Sequence, residues 1–164
     1  MQQKLTYVST RDESATPLTY SEVLLQGLAP DRGLYVPTNY PTLSHEDLQN
    51  LAGKPYIEIF TFIKGLFIGD DIDSATQLQL AKNAFSQNAF PSVLDGNVTP
   101  LSKVSANFYI QELSLGPTAA FKDMALRPLG QDMQYVLQKL GKKLTLLGAT
   151  SGDTGSAAEA AVKG

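Results

Sequence analysis

The sequence predicts an α/β protein. A mainly helical N-terminal subdomain, residues 1–90, is followed over 91–164 by the opening of a parallel sheet. Three observations carry this. Capped or amphipathic helical segments fill most of the first 90 residues. From about residue 107 the order is strand, helix, strand, Gly-rich loop, helix, which is how a βαβ unit begins. The strand that would close that unit has no counterpart before Gly164, so the sheet is expected to be incomplete at the C-terminus. The chain then reads as part of a longer protein, or as one that completes its core by another route.

In order along the chain, Thr19-Tyr20-Ser21-Glu22 has the T-x-x-E form of a capping box and leads into Val23, Leu24 and Leu25, with Gly27 as the stop. The stretch Gly27-Leu28-Ala29-Pro30-Asp31-Arg32-Gly33 is turn chemistry, and Leu34-Tyr35-Val36 ahead of Pro37 reads as a strand. A second capped helix begins at Ser44, with Asp47 three residues on and Gly53 beyond its end. Ile59, Phe62, Ile63 and Leu66 repeat at i, i+3, i+4 and i+7, and Leu78, Ala81 and Phe85 continue the helical period after the turn Asp70-Asp71-Ile72-Asp73. These stripes read as core, and no convergent polar cluster accompanies them.

After Pro91, Asn107–Leu113 is strand-like. Leu126, Leu129, Met133, Val136, Leu137 and Leu140 lie on one face of a long helix, and Leu144-Thr145-Leu146-Leu147 reads as a short buried strand. Pro128 conflicts with that helix, which is therefore expected to start near Arg127 or to bend there. An alanine-rich helix follows Gly155.

Composition excludes several chemistries. The 164 residues are 43% hydrophobic and 18% charged, with a net charge of −3, an ordinary globular balance able to bury a full core. With no cysteine there are no disulfides, thiolate metal sites or cysteine nucleophiles, and one histidine, His45, cannot form a paired-histidine metal site. No metal is expected, and His45 reads as a solvent-facing residue on a polar helix start. The acidic balance argues against nucleic acid as a partner, since Lys139, Lys142 and Lys143 are the only basic cluster. The first residues lack the apolar run of a secretory signal, and no stretch approaches the ~18 apolar residues of a membrane span. A cytoplasmic soluble protein is the expectation.

Two segments carry chemistry. Gly116-Pro117-Thr118-Ala119-Ala120-Phe121-Lys122-Asp123 is a turn entering the long helix. A lysine there sits against the positive end of the helix dipole, a field that favours the neutral amine Schiff-base chemistry requires. Most lysines at helix starts are solvated, and Asp123 reads simply as a favourable first-turn carboxylate. The second segment, Gly148-Ala149-Thr150-Ser151-Gly152-Asp153-Thr154-Gly155, follows the strand and opens the last helix. Its backbone N–H groups and hydroxyls form a candidate anion site over Thr150, Ser151, Gly152, Asp153 and Thr154. Asp153 would repel a bare phosphate, so a zwitterionic ligand such as an amino acid suits the loop better. Alternatively, Asp153 caps the helix and the glycines only make the turn. The loop is neither a P-loop nor G-x-G-x-x-G.

Residues 116–126 and 148–158, with Tyr7-Val8-Ser9-Thr10-Arg11 and Gly27–Pro37, resemble in order and approximate spacing the threonine synthase family of fold-type II pyridoxal-phosphate enzymes. Such a chain is similar to the family's N-terminal portion: a helical subdomain over 1–90 and the beginning of the cofactor-dependent catalytic domain over 91–164. The resemblance implies that Lys122 holds pyridoxal 5'-phosphate as a Schiff base and later shuttles a proton, while Thr150–Thr154 receive the substrate's α-carboxylate. It implies conversion of O-phospho-L-homoserine and water to L-threonine and phosphate, a lyase reaction of threonine biosynthesis. A downstream Gly-rich loop for the cofactor phosphate and a polar residue facing the pyridine nitrogen, both usual in the family, have no counterpart in these 164 residues. The chain alone is thus expected to be inactive. It departs from the family pattern at Ser114 and Leu115, where an aromatic residue and a histidine are usual, at Arg32, usually glycine, and at Pro128. Another fold-type II lyase or deaminase, and a non-catalytic binding module with Lys122 remote from the loop, are the alternatives.

Overall fold

A computed structural model of the chain describes residues 5–12, 14–93 and 95–163. In chain order the elements are β1 (Tyr7–Ser9), α1 (Tyr20–Gln26), β2 (Tyr35–Pro37), α2 (His45–Leu51), α3 (Tyr56–Ile68), α4 (Ser74–Ala84), β3 (Leu101–Ser105), β4 (Phe108–Gln111), α5 (Asp123–Leu140) and α6 (Asp153–Val162). The chain divides into two compact units. The first takes the described residues of Met1–Lys54 with Glu58–Leu78, and the second takes Pro55–Ile57 with those of Gln79–Gly164.

In the first unit β1 and β2 pair antiparallel, Val8 opposite Val36. Buried Tyr7 donates its phenol to the carbonyl of Phe67 at 2.5 Å, and burial pushes its pKa up to about 12. The turn before β2 is a polar knot. The Asp31 carboxylate accepts from the Gly33 amide at 2.7 Å and from the buried Ser9 hydroxyl at 2.8 Å. Those two bonds, Gly33 first, hold Asp31 below the ordinary carboxylate range. A side chain on Gly33 would meet Ser9 Oγ at 2.1 Å, so only glycine fits. Arg32 beside it adopts φ +66°.

The helix starts are as their sequences dictate. Thr19 with Glu22, and Ser44 with Asp47, form reciprocal capping boxes. His45 is exposed at the start of α2, with Nε2 3.1 Å from the Gln49 amide nitrogen. Gln77 is buried, and its amide donates to the Ile72 carbonyl at 2.6 Å, closing the turn that leads into α4.

The core of the second unit gathers Leu80, Ala81, Ala84, Phe85, Phe90, Val98, Val136 and Ala157. The Phe85 ring packs edge-on to Tyr56 and tilted against Phe90, with centroids 5.1 and 5.7 Å away. α5 and α6 cross at Gly130, where an added Cβ would lie 2.6 Å from the Ala161 carbonyl oxygen. Arg127 ties neighbouring elements together, with Nε donating to the Ala84 carbonyl at 2.8 Å and a terminal nitrogen to Ala160 at 3.3 Å.

Three expectations are corrected. Residues 144–147 form no strand: Leu144, Leu146 and Leu147 are exposed, Leu147 almost completely, at 97%. A strand is defined by its ladder partner, and none is present among the described residues. The strand at 108–111 instead pairs antiparallel with β3, a segment the apolar pattern did not single out. Both sheets among the described residues are therefore two-stranded and antiparallel. Finally, of the two expected ways to accommodate Pro128, a start near Arg127 is excluded, since α5 begins at Asp123 and runs through a buried Pro128. Of its expected apolar face only Val136 is buried, while Leu129 and Leu140 are exposed. The close approach at Gly130 sets which side of α5 is covered, and the larger apolar residues border an open groove instead.

Candidate active site

The turn ahead of α5 is built by Asp123. Its side chain is fully buried and accepts from both the amide and the hydroxyl of Thr118, at 2.9 Å each. Gly116 permits this, because a Cβ there would stand 2.4 Å from Asp123 Oδ2. Ala119 turns through φ +54° and donates its amide to the Gly116 carbonyl at 3.1 Å. The half-buried Arg127 guanidinium is drawn below its ordinary pKa by desolvation, against the charge of Asp123, which favours its protonated form.

That turn delivers Lys122 to the residue before the first turn of α5, its carbonyl accepting from the Ala125 and Leu126 amides. Lys122 Nζ lies 4.7 Å from the centroid of the Phe121 ring and 3.6 Å from Asp153 Oδ2. Its side chain is 28% exposed, against 69% for that of Asp153. The pair contributes little to stability in such a solvated place. Its consequence is where it puts the amine.

The Gly-rich loop is shaped by Thr150. Its hydroxyl oxygen accepts from the amides of Gly152 and Gly155, both at 3.1 Å. Gly152 turns through φ +139°, a region essentially restricted to glycine, and a Cβ on Gly155 would meet Thr150 Oγ1 at 2.8 Å. All five residues Thr150–Thr154 are solvent-exposed. Leu126, Leu129, Met133, Leu146 and Leu147 line the cavity of about 560 Å³ that borders Thr150 and Thr154.

The structure thus brings two segments about thirty positions apart to a shared place, with Lys122 facing the loop through Asp153. Thr150 stabilises the loop through its hydroxyl, and Ser151, Gly152 and Thr154 lie open to solvent. Three contributors escaped the sequence reading. The Thr118–Asp123 bracket could have been sought as a hydroxyl a few residues before a helix-start carboxylate. The Phe121 ring and the Arg127 ties leave no spacing signal. Among the described residues no group of acidic or histidine side chains could hold a metal ion. None of the described helices is long and apolar enough to cross a membrane.

An α/β chain that presents a helix-start lysine to a Gly-Ser-Thr loop has clear likenesses among known proteins. Residues 6–85 match the family model described as Threonine synthase N terminus. Threonine synthase of Corynebacterium glutamicum is 41% identical over 162 residues, covering 96% of this chain and 33% of the relative. The crystal structure of pyridoxal-phosphate-bound threonine synthase from Brucella melitensis superposes with a TM-score of 0.89 at 42% identity, over 98% of this chain and 33% of that one. The yeast threonine synthase structure gives 0.86 at 35% identity, over 97% of this chain and 33% of that one. Over nearly its whole length the chain is similar to the N-terminal portion of threonine synthases, and it spans about a third of the length of the relatives it matches.

Proposed function

We propose that this chain is the part of a cytoplasmic threonine synthase that carries the cofactor lysine and the substrate-carboxylate loop, with 1–90 as N-terminal subdomain and 91–164 as the start of a fold-type II catalytic domain. The observation that carries the reading is the 3.6 Å approach of Lys122 Nζ to Asp153, which places an amine beside a loop with the chemistry to bind a carboxylate. The residues suit pyridoxal phosphate. The amine is partly accessible, and the loop it faces opens a helix whose first amides favour anions.

When bound, the cofactor supplies an electron sink for carbanion chemistry. Lys122 is the residue that would hold it, and its amine, once freed by substrate, would carry protons at the substrate carbons. Thr150–Thr154 would bind the α-carboxylate through loop amides and the Ser151 and Thr154 hydroxyls. Thr150 keeps the loop in shape, fixing the orientation of whatever it holds. The substrate is O-phospho-L-homoserine. Its γ-phosphate leaves and water adds at the β-carbon, giving L-threonine and phosphate. The 164 residues alone are expected to show no turnover.

The test is to incubate the chain with pyridoxal phosphate, reduce with borohydride and map the labelled peptide. Label concentrated on Lys122 and lost in Lys122→Ala supports the reading. Label spread evenly over the lysines refutes it. Assaying the full-length protein against phosphohomoserine and threonine separates a synthase from a related lyase or deaminase.

A further inference from the structure

Asp153 is the one carboxylate in a loop whose proposed task is to receive another carboxylate. A side chain aimed at that ligand would oppose binding by like-charge repulsion, whereas Asp153 Oδ2 lies 3.6 Å from the Lys122 Nζ, a cation it can pair with. The Phe121 ring also stands close, 4.7 Å from Nζ to centroid, so the amine has both an anion and an aromatic face within reach. Asp153 is also fixed at its base. It is the first residue of α6, and the Thr150 hydroxyl binds the amides on either side of it, those of Gly152 and Gly155.

We propose that Asp153 is a positioning residue for the Lys122 amine: its side chain holds Nζ at the mouth of the loop, while only its backbone amide is left for a ligand's carboxylate. The inference deepens the function proposed above by dividing the loop's work. Ser151 and Thr154 face the ligand, Thr150 sets the loop's shape, and the Asp153 carboxylate serves the lysine. A long, flexible amine is thereby kept near one place, which is what a group that must meet an aldehyde carbon and later a substrate carbon needs.

The test reads the amine directly and needs no cofactor. The chain is labelled with a trace of acetic anhydride, and acetylation of Lys122 is compared by mass spectrometry with that of Lys82, Lys139 and Lys163 in the same molecule. Asp153→Asn should raise the relative labelling of Lys122 about two- to fivefold, the range an exposed ion pair supports. Asp153→Glu, which keeps the charge, should stay nearer the parent. Unchanged Lys122 labelling in Asp153→Asn, with the reference lysines also unchanged, overturns the proposal. If the reference lysines shift together, the fold has moved, and Phe121→Leu/Asp153→Asn measured against Phe121→Leu repeats the comparison in a second background, where an unchanged ratio again overturns it. Pyridoxal-phosphate trapping on the unsubstituted chain is read separately. Loss of trapping with intact labelling behaviour refutes the proposed function alone, and trapping with unresponsive labelling refutes this inference alone.

Discussion

Both donors of Thr118 reach the Asp123 carboxylate, the amide to Oδ2 and the hydroxyl to Oδ1, each at 2.9 Å. This bracket folds the turn that carries Lys122 into the helix, so stability and the proposed chemistry share one residue. Removing a fully buried acceptor strands its donors, and hydrogen bonds to charged groups are each worth about 1.5–3 kcal/mol. Asp123→Ala should cost roughly 2–4 kcal/mol in urea unfolding. Thr118→Val, which keeps the amide bond and loses the hydroxyl, should cost about 1–2 kcal/mol. A loss below about 0.5 kcal/mol in both would contradict the bracket.

The crossing of α5 and α6 depends on Gly130. A methyl there would sit 2.6 Å from the Ala161 carbonyl oxygen, which belongs to backbone and cannot swing away. Gly130→Ala should destabilise by about 1–3 kcal/mol despite its better helix propensity. The thermal midpoint is the measurement, and a rise would refute the contact.

Arg32 holds φ +66° while its side chain is exposed. The left-handed region costs a side-chain-bearing residue about 1–2 kcal/mol, against which glycine loses about 0.5–1 kcal/mol of additional chain entropy. Arg32→Gly is therefore expected to be neutral or to stabilise by up to about 1 kcal/mol. Gly33→Ala, one residue on, should be strongly destabilising, since its Cβ would meet the Ser9 hydroxyl at 2.1 Å.

Tyr7 makes stability fall in alkali. Its folded pKa is pushed up to about 12 by burial, above the ordinary value of 10.0. The unfolded phenol loses its proton first, so the contribution of the neutral group is fully present below pH 10 and is lost as pH rises toward 12. Tyr7→Phe should flatten that part of the stability profile. It also removes the bond to the Phe67 carbonyl, lowering stability at neutral pH by about 1 kcal/mol. An unchanged slope above pH 10 would refute the assignment.

Much of this protein was legible in its residues because the deciding interactions are local. The capping boxes at Thr19 and Ser44 need only three residues of separation, and the glycine-rich loop needs only its own amides and the Thr150 hydroxyl. The family resemblance rested on the same local runs, residues 7–11, 27–37, 116–126 and 148–158. Tertiary structure alone decided what depends on a distant partner. The apolar run at 144–147 could not announce that it would lie exposed, because strand formation requires a neighbour that periodicity does not reveal. The covered side of α5 follows from one close crossing at Gly130, and so does the groove beside Leu126 and Met133. Lys122 and Asp153 are 31 residues apart in sequence, and only the fold sets their charges 3.6 Å apart. Sequence thus named both groups as candidates, while the packing of α5 against α6 made them partners.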